Sequence, residues 1–91
     1  MFMLEKLVIV RNSLGLHMRV AGLFSQAANR FVSNIYVQKG LMKVNAKSIM
    51  GVMMLAAGKG TELIITADGL DEEEAIKDLV SFIENGFEES C

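Results

Sequence analysis

Residues 6–31 read KLVIVRNSLGLHMRVAGLFSQAANRF, and their hydrophobic period changes midway. Lys6 to Arg11 is a short, β-branched, apolar run, the composition of a buried strand. Asn12-Ser13-Leu14-Gly15 is turn-forming. From about Met18 onward, Val20, Phe24, Ala27, Ala28 and Phe31 recur at helical intervals, with Arg19, Gln26 and Arg30 opposite. A strand followed by an amphipathic helix commits the chain to a mixed fold, and His17 stands at the junction.

Downstream, Ser33 to Gln38 alternates, with Ile35 and Val37 on one face and Tyr36 on the other. Lys39-Gly40 is a turn, and Met42-Lys43-Val44-Asn45 returns as the partner strand of a hairpin. Lys47-Ser48 opens a second helix with Ser48 as N-cap, expected to end at Gly58 or Gly60. Glu62 to Ala67 is a fourth strand and Asp68-Gly69 a turn. In the last helix, Asp71 as N-cap and Glu74 three residues on resemble a capping box. Glu72, Glu73 and Glu74 suit the positive end of the helix dipole. Ala75, Ile76, Leu79, Val80 and Ile83 form its apolar stripe, and Gly86 its stop. The order βαββαβα predicts an α+β fold, a two-layer open-faced β-sandwich. Three helices cannot cover both faces of four strands, so they are expected on one side.

The length of 91 residues implies one domain spanning 1–91, and 52% hydrophobic with 22% charged residues excludes disorder. The net charge of −2 conceals a split: residues 1–59 carry +7 and residues 60–91 carry −9. That asymmetry raises the expectation of a charged partner surface. A single cysteine, Cys91, excludes a disulfide framework, and a single histidine excludes multi-histidine metal sites. No metal or cofactor is therefore expected. The longest strongly apolar run, Ile49 to Ala57, is broken by Gly51 and is too short to cross a bilayer. With Glu5 and Lys6 inside Met1 to Val10 and no cleavage site, the start does not read as a signal peptide; a cytoplasmic protein without membrane insertion is expected. Among the basic residues only Tyr36, Phe24 and Phe31 are aromatic, and both phenylalanines read as core. Without a stacking platform, no nucleic-acid partner is expected.

His17 is the one side chain whose ordinary pKa lies near neutrality. It follows a glycine-containing loop and precedes a helix, where first-turn N–H groups lack helical partners and bind anions. Arg19 adds a bidentate cation suited to phosphate, and a neutral imidazole nitrogen is a nucleophile. Together they describe a histidine able to accept a phosphoryl group. The plainer alternatives are a capping or solvent-exposed histidine and a solvated arginine. The second helix, from Ser48 to Leu55, is apolar around its whole circumference, yet a short helix on a sheet buries one face. Val52 and Leu55 share one side, while Ile49, Met50 and Met53 crowd another. One set is expected at the surface, where methionines suit adaptable contacts; a fully buried helix is the alternative.

Gly15-Leu16-His17-Met18-Arg19 resembles the active-site signature of the HPr family, histidine-containing phosphocarriers of the bacterial phosphoenolpyruvate-dependent sugar phosphotransferase system. Lys47-Ser48-Ile49-Met50-Gly51-Val52-Met53 resembles that family's second signature, around a regulatory serine. Gly58-Lys59 and Ala67-Asp68-Gly69 also fit, so the resemblance covers essentially the whole chain. It implies an antiparallel four-stranded sheet with three helices on one face. It further implies that His17 accepts a phosphoryl group on Nδ1 from enzyme I and passes it to enzyme IIA domains. Arg19 would stabilise the phosphoryl oxygens, and Met18, Leu23, Lys47, Ile49, Met50 and Met53 would form the docking surface. Such a protein is a carrier, not an independent enzyme, and a monomer is expected because one small patch must serve several partners.

Two positions depart from the family pattern. Met18 stands where a small residue is usual, and Val20 where proline is usual. Proline fixes φ in a first helical turn and removes an unneeded donor, so valine implies a less rigid helix start with transfer retained. Met18 either extends the docking patch or crowds the phosphoryl site. In many Firmicutes the serine matching Ser48 is phosphorylated by a dedicated kinase/phosphorylase, which implies that kinase and a transcriptional regulator as further partners. Phosphate there would add about −2 charge to a patch meant for acidic proteins. The alternative function is a regulatory paralogue, in nitrogen or carbon-catabolite control, acting mainly by binding.

Overall fold

The computed structural model describes residues 3–13 and 15–86; Leu14 and Cys91 lie outside the described residues. Seven elements follow one another: β1 (Leu4–Ile9), α1 (Met18–Ala28), β2 (Asn34–Lys39), β3 (Met42–Asn45), α2 (Ile49–Met54), β4 (Glu62–Asp68) and α3 (Glu72–Glu84). The strands form one sheet in the order β1-β4-β2-β3, with every neighbouring pair antiparallel. Three helices cover one face, and the open-faced βαββαβα sandwich is the architecture the sequence implies.

Strand alternation sorts the side chains between the two faces. Val8, Ile35, Val37, Leu63, Ile65 and Ala67 point beneath the helices and are buried. They meet Val20, Phe24, Ala27 and Ala28 of α1, Val52 of α2, and Ala75, Leu79 and Ile83 of α3. Phe24 and Phe82 pack edge to face, with centroids 6.3 Å apart, tying α1 to α3. On the opposite face Leu7 and Ile9 are exposed, and Lys43 Nζ lies 5.0 Å from the centroid of the Tyr36 ring. That face is open to solvent.

Three expectations need correction. The first strand runs Leu4–Ile9, not Lys6–Arg11, and is not buried on both sides. It is an edge strand bonded only to β4, so its continuous apolar run hides an ordinary in–out alternation. The second helix stops at Met54, with Leu55 as C-cap, well before either glycine. Ala56 then takes a left-handed φ of 49°, a conformation usually left to glycine. The capping box on α3 does not form. Asp71 makes no side-chain cap; its Oδ2 accepts the Val32 N–H and its Oδ1 accepts the Ser33 N–H, each at 3.0 Å. The Ser33 hydroxyl also donates to Oδ1, at 2.5 Å. Glu72, rather than Glu74, reaches back, its Oε1 accepting the Gly69 N–H at 3.0 Å. Gly86 does end α3 in a left-handed conformation, φ 65°, one residue beyond the C-cap Asn85.

Candidate functional site

His17 is the N-cap residue of α1, with extended backbone (φ −77°, ψ 173°) and no side-chain cap to its own helix. Its carbonyl accepts the Ala21 N–H at 2.8 Å, which starts the helical ladder. The first turn of α1 therefore starts at the half-buried His17, and first-turn N–H groups suit an anion. Arg19 is exposed in the same turn, while Val20 is fully buried and anchors the turn to the core.

The loop before His17 is held from below by the turn that follows α2. The Leu16 N–H donates to the Ala57 carbonyl at 2.9 Å. Gly15 has φ 68°, and a methyl group there would overlap the Ala57 carbonyl and lie 2.8 Å from Gly58 Cα. Gly15 is needed both for its backbone conformation and for this close approach. Asn12 closes the loop from within, its Nδ2 donating to the Gly15 carbonyl at 2.8 Å. Lys39 Nζ, at the end of β2, donates to the Ala56 carbonyl at 3.3 Å. None of this supporting shell was anticipated. Only the glycine between two leucines signalled a backbone constraint.

The other end of α2 is fastened to the other end of α1. Ser25 Oγ donates to the Ala46 carbonyl at 3.1 Å, and Asn29 Nδ2 to the Lys47 carbonyl at 3.0 Å. The two helices thus run antiparallel, with His17 near the end of α2 and Ser48 near the end of α1. Ser48 is the N-cap the sequence indicated, its Oγ accepting the Gly51 N–H at 3.1 Å. A six-residue helix is about 9 Å long, so His17 and Ser48 occupy opposite ends of a short ridge.

That ridge is apolar and exposed. Met18 is 70% and Met50 71% accessible, and Ile49 is exposed beside them. Leu23 and Met53 are half-buried, Met53 packing against the core. Met54, 64% accessible, takes the outward place that Met53 was expected to share; its spacing of four from Met50 was the overlooked signal. Lys47 is turned away, its Nζ donating to the Phe31 carbonyl at 2.6 Å. Among the described residues no cluster of His, Cys, Asp or Glu could hold a metal, and no helix is long and apolar enough to cross a membrane.

Residues 4–85 match the family described as PTS HPr component phosphorylation site. The HPr-like protein Crh of Halalkalibacterium halodurans is 51% identical over 82 residues, 90% of this chain and 98% of that protein. Phosphocarrier protein HPr of Neisseria meningitidis is 47% identical over 85 residues, 93% of this chain and 94% of that protein. The crystal structure of HPr-C-His from Thermoanaerobacter tengcongensis superposes with a TM-score of 0.92 at 49% identity, covering 97% of this chain and 99% of that one. With sequence and architecture matched over most of its length, the chain belongs to the HPr family of phosphocarrier proteins.

Proposed function

We propose that the chain is a cytoplasmic, monomeric, single-domain phosphocarrier of the phosphotransferase system, charged at His17 by enzyme I and discharged to enzyme IIA domains. The observation that carries this reading is His17 at the N-terminus of α1 with an imidazole that does not cap its own helix. Nδ1 attacks the phosphorus atom as the bond to its carrier group on enzyme I breaks. In the second transfer the Nδ1–phosphorus bond breaks as the acceptor on enzyme IIA attacks. First-turn N–H groups and Arg19 hold the phosphoryl oxygens in both directions. Met18, Leu23, Ile49, Met50 and Met53, with the exposed Met54 beside them, form the docking surface, and Lys47 supports it through its bond to the Phe31 carbonyl.

Ser48 serves as a regulatory phosphorylation site for a dedicated kinase/phosphorylase. Its phosphate adds negative charge to the ridge without needing to touch His17. A regulatory paralogue acting mainly by binding is the second reading, since the similar Bacillus subtilis Crh is described as a catabolite repression HPr. Retention of His17 favours the carrier role, because binding alone does not require a nucleophile there.

The test is incubation with phosphoenolpyruvate and enzyme I, followed by 31P NMR. A phosphohistidine signal in the wild type and none in His17→Ala is expected. Absence of the signal in the wild type would rule out the carrier role.

A further inference from the structure

We infer that Met18, Met50 and Met54 form a reversible oxidation site through which hydroperoxides weaken partner docking; this rests on the carrier reading above. Two of these residues, Met50 and Met54, stand four apart on the exposed side of α2, where i and i+4 side chains are neighbours. The third follows His17 directly. The Leu16–Ala57 hydrogen bond brings the turn after α2 against the loop before α1, so the ridge of thioethers runs up to the histidine. Their accessibilities of 64–71% contrast with Met53, which lies within the same helix but packs on the core.

The chemistry follows from that exposure. A thioether sulfur donates an electron pair to one oxygen of hydrogen peroxide, the O–O bond breaks, and water leaves. The sulfur is oxidised by two electrons and the peroxide reduced. The product sulfoxide replaces a flexible apolar side chain with a strongly polar one; sulfoxide reductases reverse the change with two electrons and two protons from a dithiol, which becomes a disulfide as the oxygen leaves as water. On a surface that must be desolvated by a partner, one such polar group without a hydrogen-bonding counterpart weakens association by about tenfold. The fold itself is spared, because none of the three side chains belongs to the core. Met3 and Met42 are also exposed and provide an internal comparison: Met3 precedes β1 and Met42 begins β3.

The experiment uses the full chain with Cys91→Ser, to remove the thiol, before and after treatment with hydrogen peroxide that is then quenched. Peptide mass mapping is expected to place sulfoxides on Met18, Met50 and Met54 and to spare Met53. Phosphoryl transfer from enzyme I is expected to show a KM raised about tenfold, a smaller change in kcat, and recovery after sulfoxide reductase. Met18→Leu/Met50→Leu/Met54→Leu is compared with itself, reduced and oxidised, and is expected to show no oxidant response. Met3→Leu/Met42→Leu is expected to keep the response. Normal transfer by wild type carrying all three sulfoxides overturns the proposal alone. Equal oxidant loss in the triple variant does the same. No transfer to the untreated protein overturns the carrier reading and this proposal with it.

Discussion

The Ala57 carbonyl accepts the Leu16 N–H at 2.9 Å, fastening the turn after α2 beneath the loop that presents His17. The first two predictions follow from the two unusual backbone conformations that flank this bond.

Gly15→Ala forces a side chain into a left-handed conformation and against the Ala57 carbonyl. The expected cost is about 2–3 kcal/mol, a fall in melting temperature of roughly 10–20 °C. Phosphorylation of the variant at a temperature where it remains folded should also be slower, because the loop must move. Calorimetry and a transfer assay check both; an unchanged Tm would contradict the close approach.

Ala56→Gly should act in the opposite direction. Ala56 has a φ of 49°, and glycine relieves that strain while adding freedom to the unfolded chain. A net gain of about 0.5–1 kcal/mol is expected, read as a higher urea midpoint at constant m. Ala56→Val should lower the midpoint, since β-branching is poorly accommodated at positive φ.

Asp71 predicts an acid-sensitive fold. The Ser33 hydroxyl, followed by the Val32 and Ser33 N–H groups, holds its carboxyl below the usual value of 3.8. A lowered folded pKa means that the stabilisation is complete above the unfolded value and is lost as pH falls through the folded one. Asp71→Asn should therefore be less stable than wild type at pH 7, with the gap closing on acidification below pH 3.8. Urea titrations across that range test this, and a gap independent of pH would remove the carboxylate from the explanation.

Gly69→Ala should disturb the same junction. A methyl group there would lie 2.6 Å from both Cα and Oγ of Ser33, too close for either to remain in place. A loss of about 1–3 kcal/mol is expected, with slower-exchanging amides of Val32 and Ser33 becoming exposed to hydrogen exchange. Unchanged exchange at these two positions would show that the loop does not depend on Gly69.

Ser48 separates capping from charge. Ser48→Ala removes the bond to the Gly51 N–H and should cost about 1 kcal/mol while leaving the ridge uncharged. Ser48→Asp keeps a capping oxygen but adds a negative charge, so it should retain stability and raise the KM for enzyme I. Equal transfer rates for wild type and Ser48→Asp would defeat the electrostatic account.

The parts of this architecture legible in the sequence were those governed by period and by local chemistry. The helical spacing of Val20, Phe24, Ala27 and Ala28, the alternation of Ile35 and Val37, and the Ser48 cap all involve residues a few positions apart. What escaped was set by partners distant in sequence. Asp71 had a sound local role as a cap, but two N–H groups and a hydroxyl from residues 32 and 33 outcompeted its own helix. Glycine is the expected stop for the helix after Ser48, whereas Ala56, two residues before the first candidate, adopts the glycine-like conformation. At the candidate site, His17 and Arg19 stood out by residue type, whereas Lys39 and Ala57 support the loop from places no local pattern marks. Met54 lies inside the stretch from Ser48 to Leu55, and its spacing of four from Met50 is the local signal for its exposure.

The strand order has a consequence for how the molecule comes into being. β4 is the last strand in the chain yet lies second in the sheet, bonded to β1 on one side and β2 on the other. Until residues 62–68 have been synthesised and inserted, β1 has no neighbour and β2 has only β3. A growing chain on the ribosome can close the β2–β3 hairpin early, but it holds the sheet open until nearly all of its length is made. Contacts between such distant segments slow folding and make it cooperative, so the strand that arrives last is the one that locks the others together.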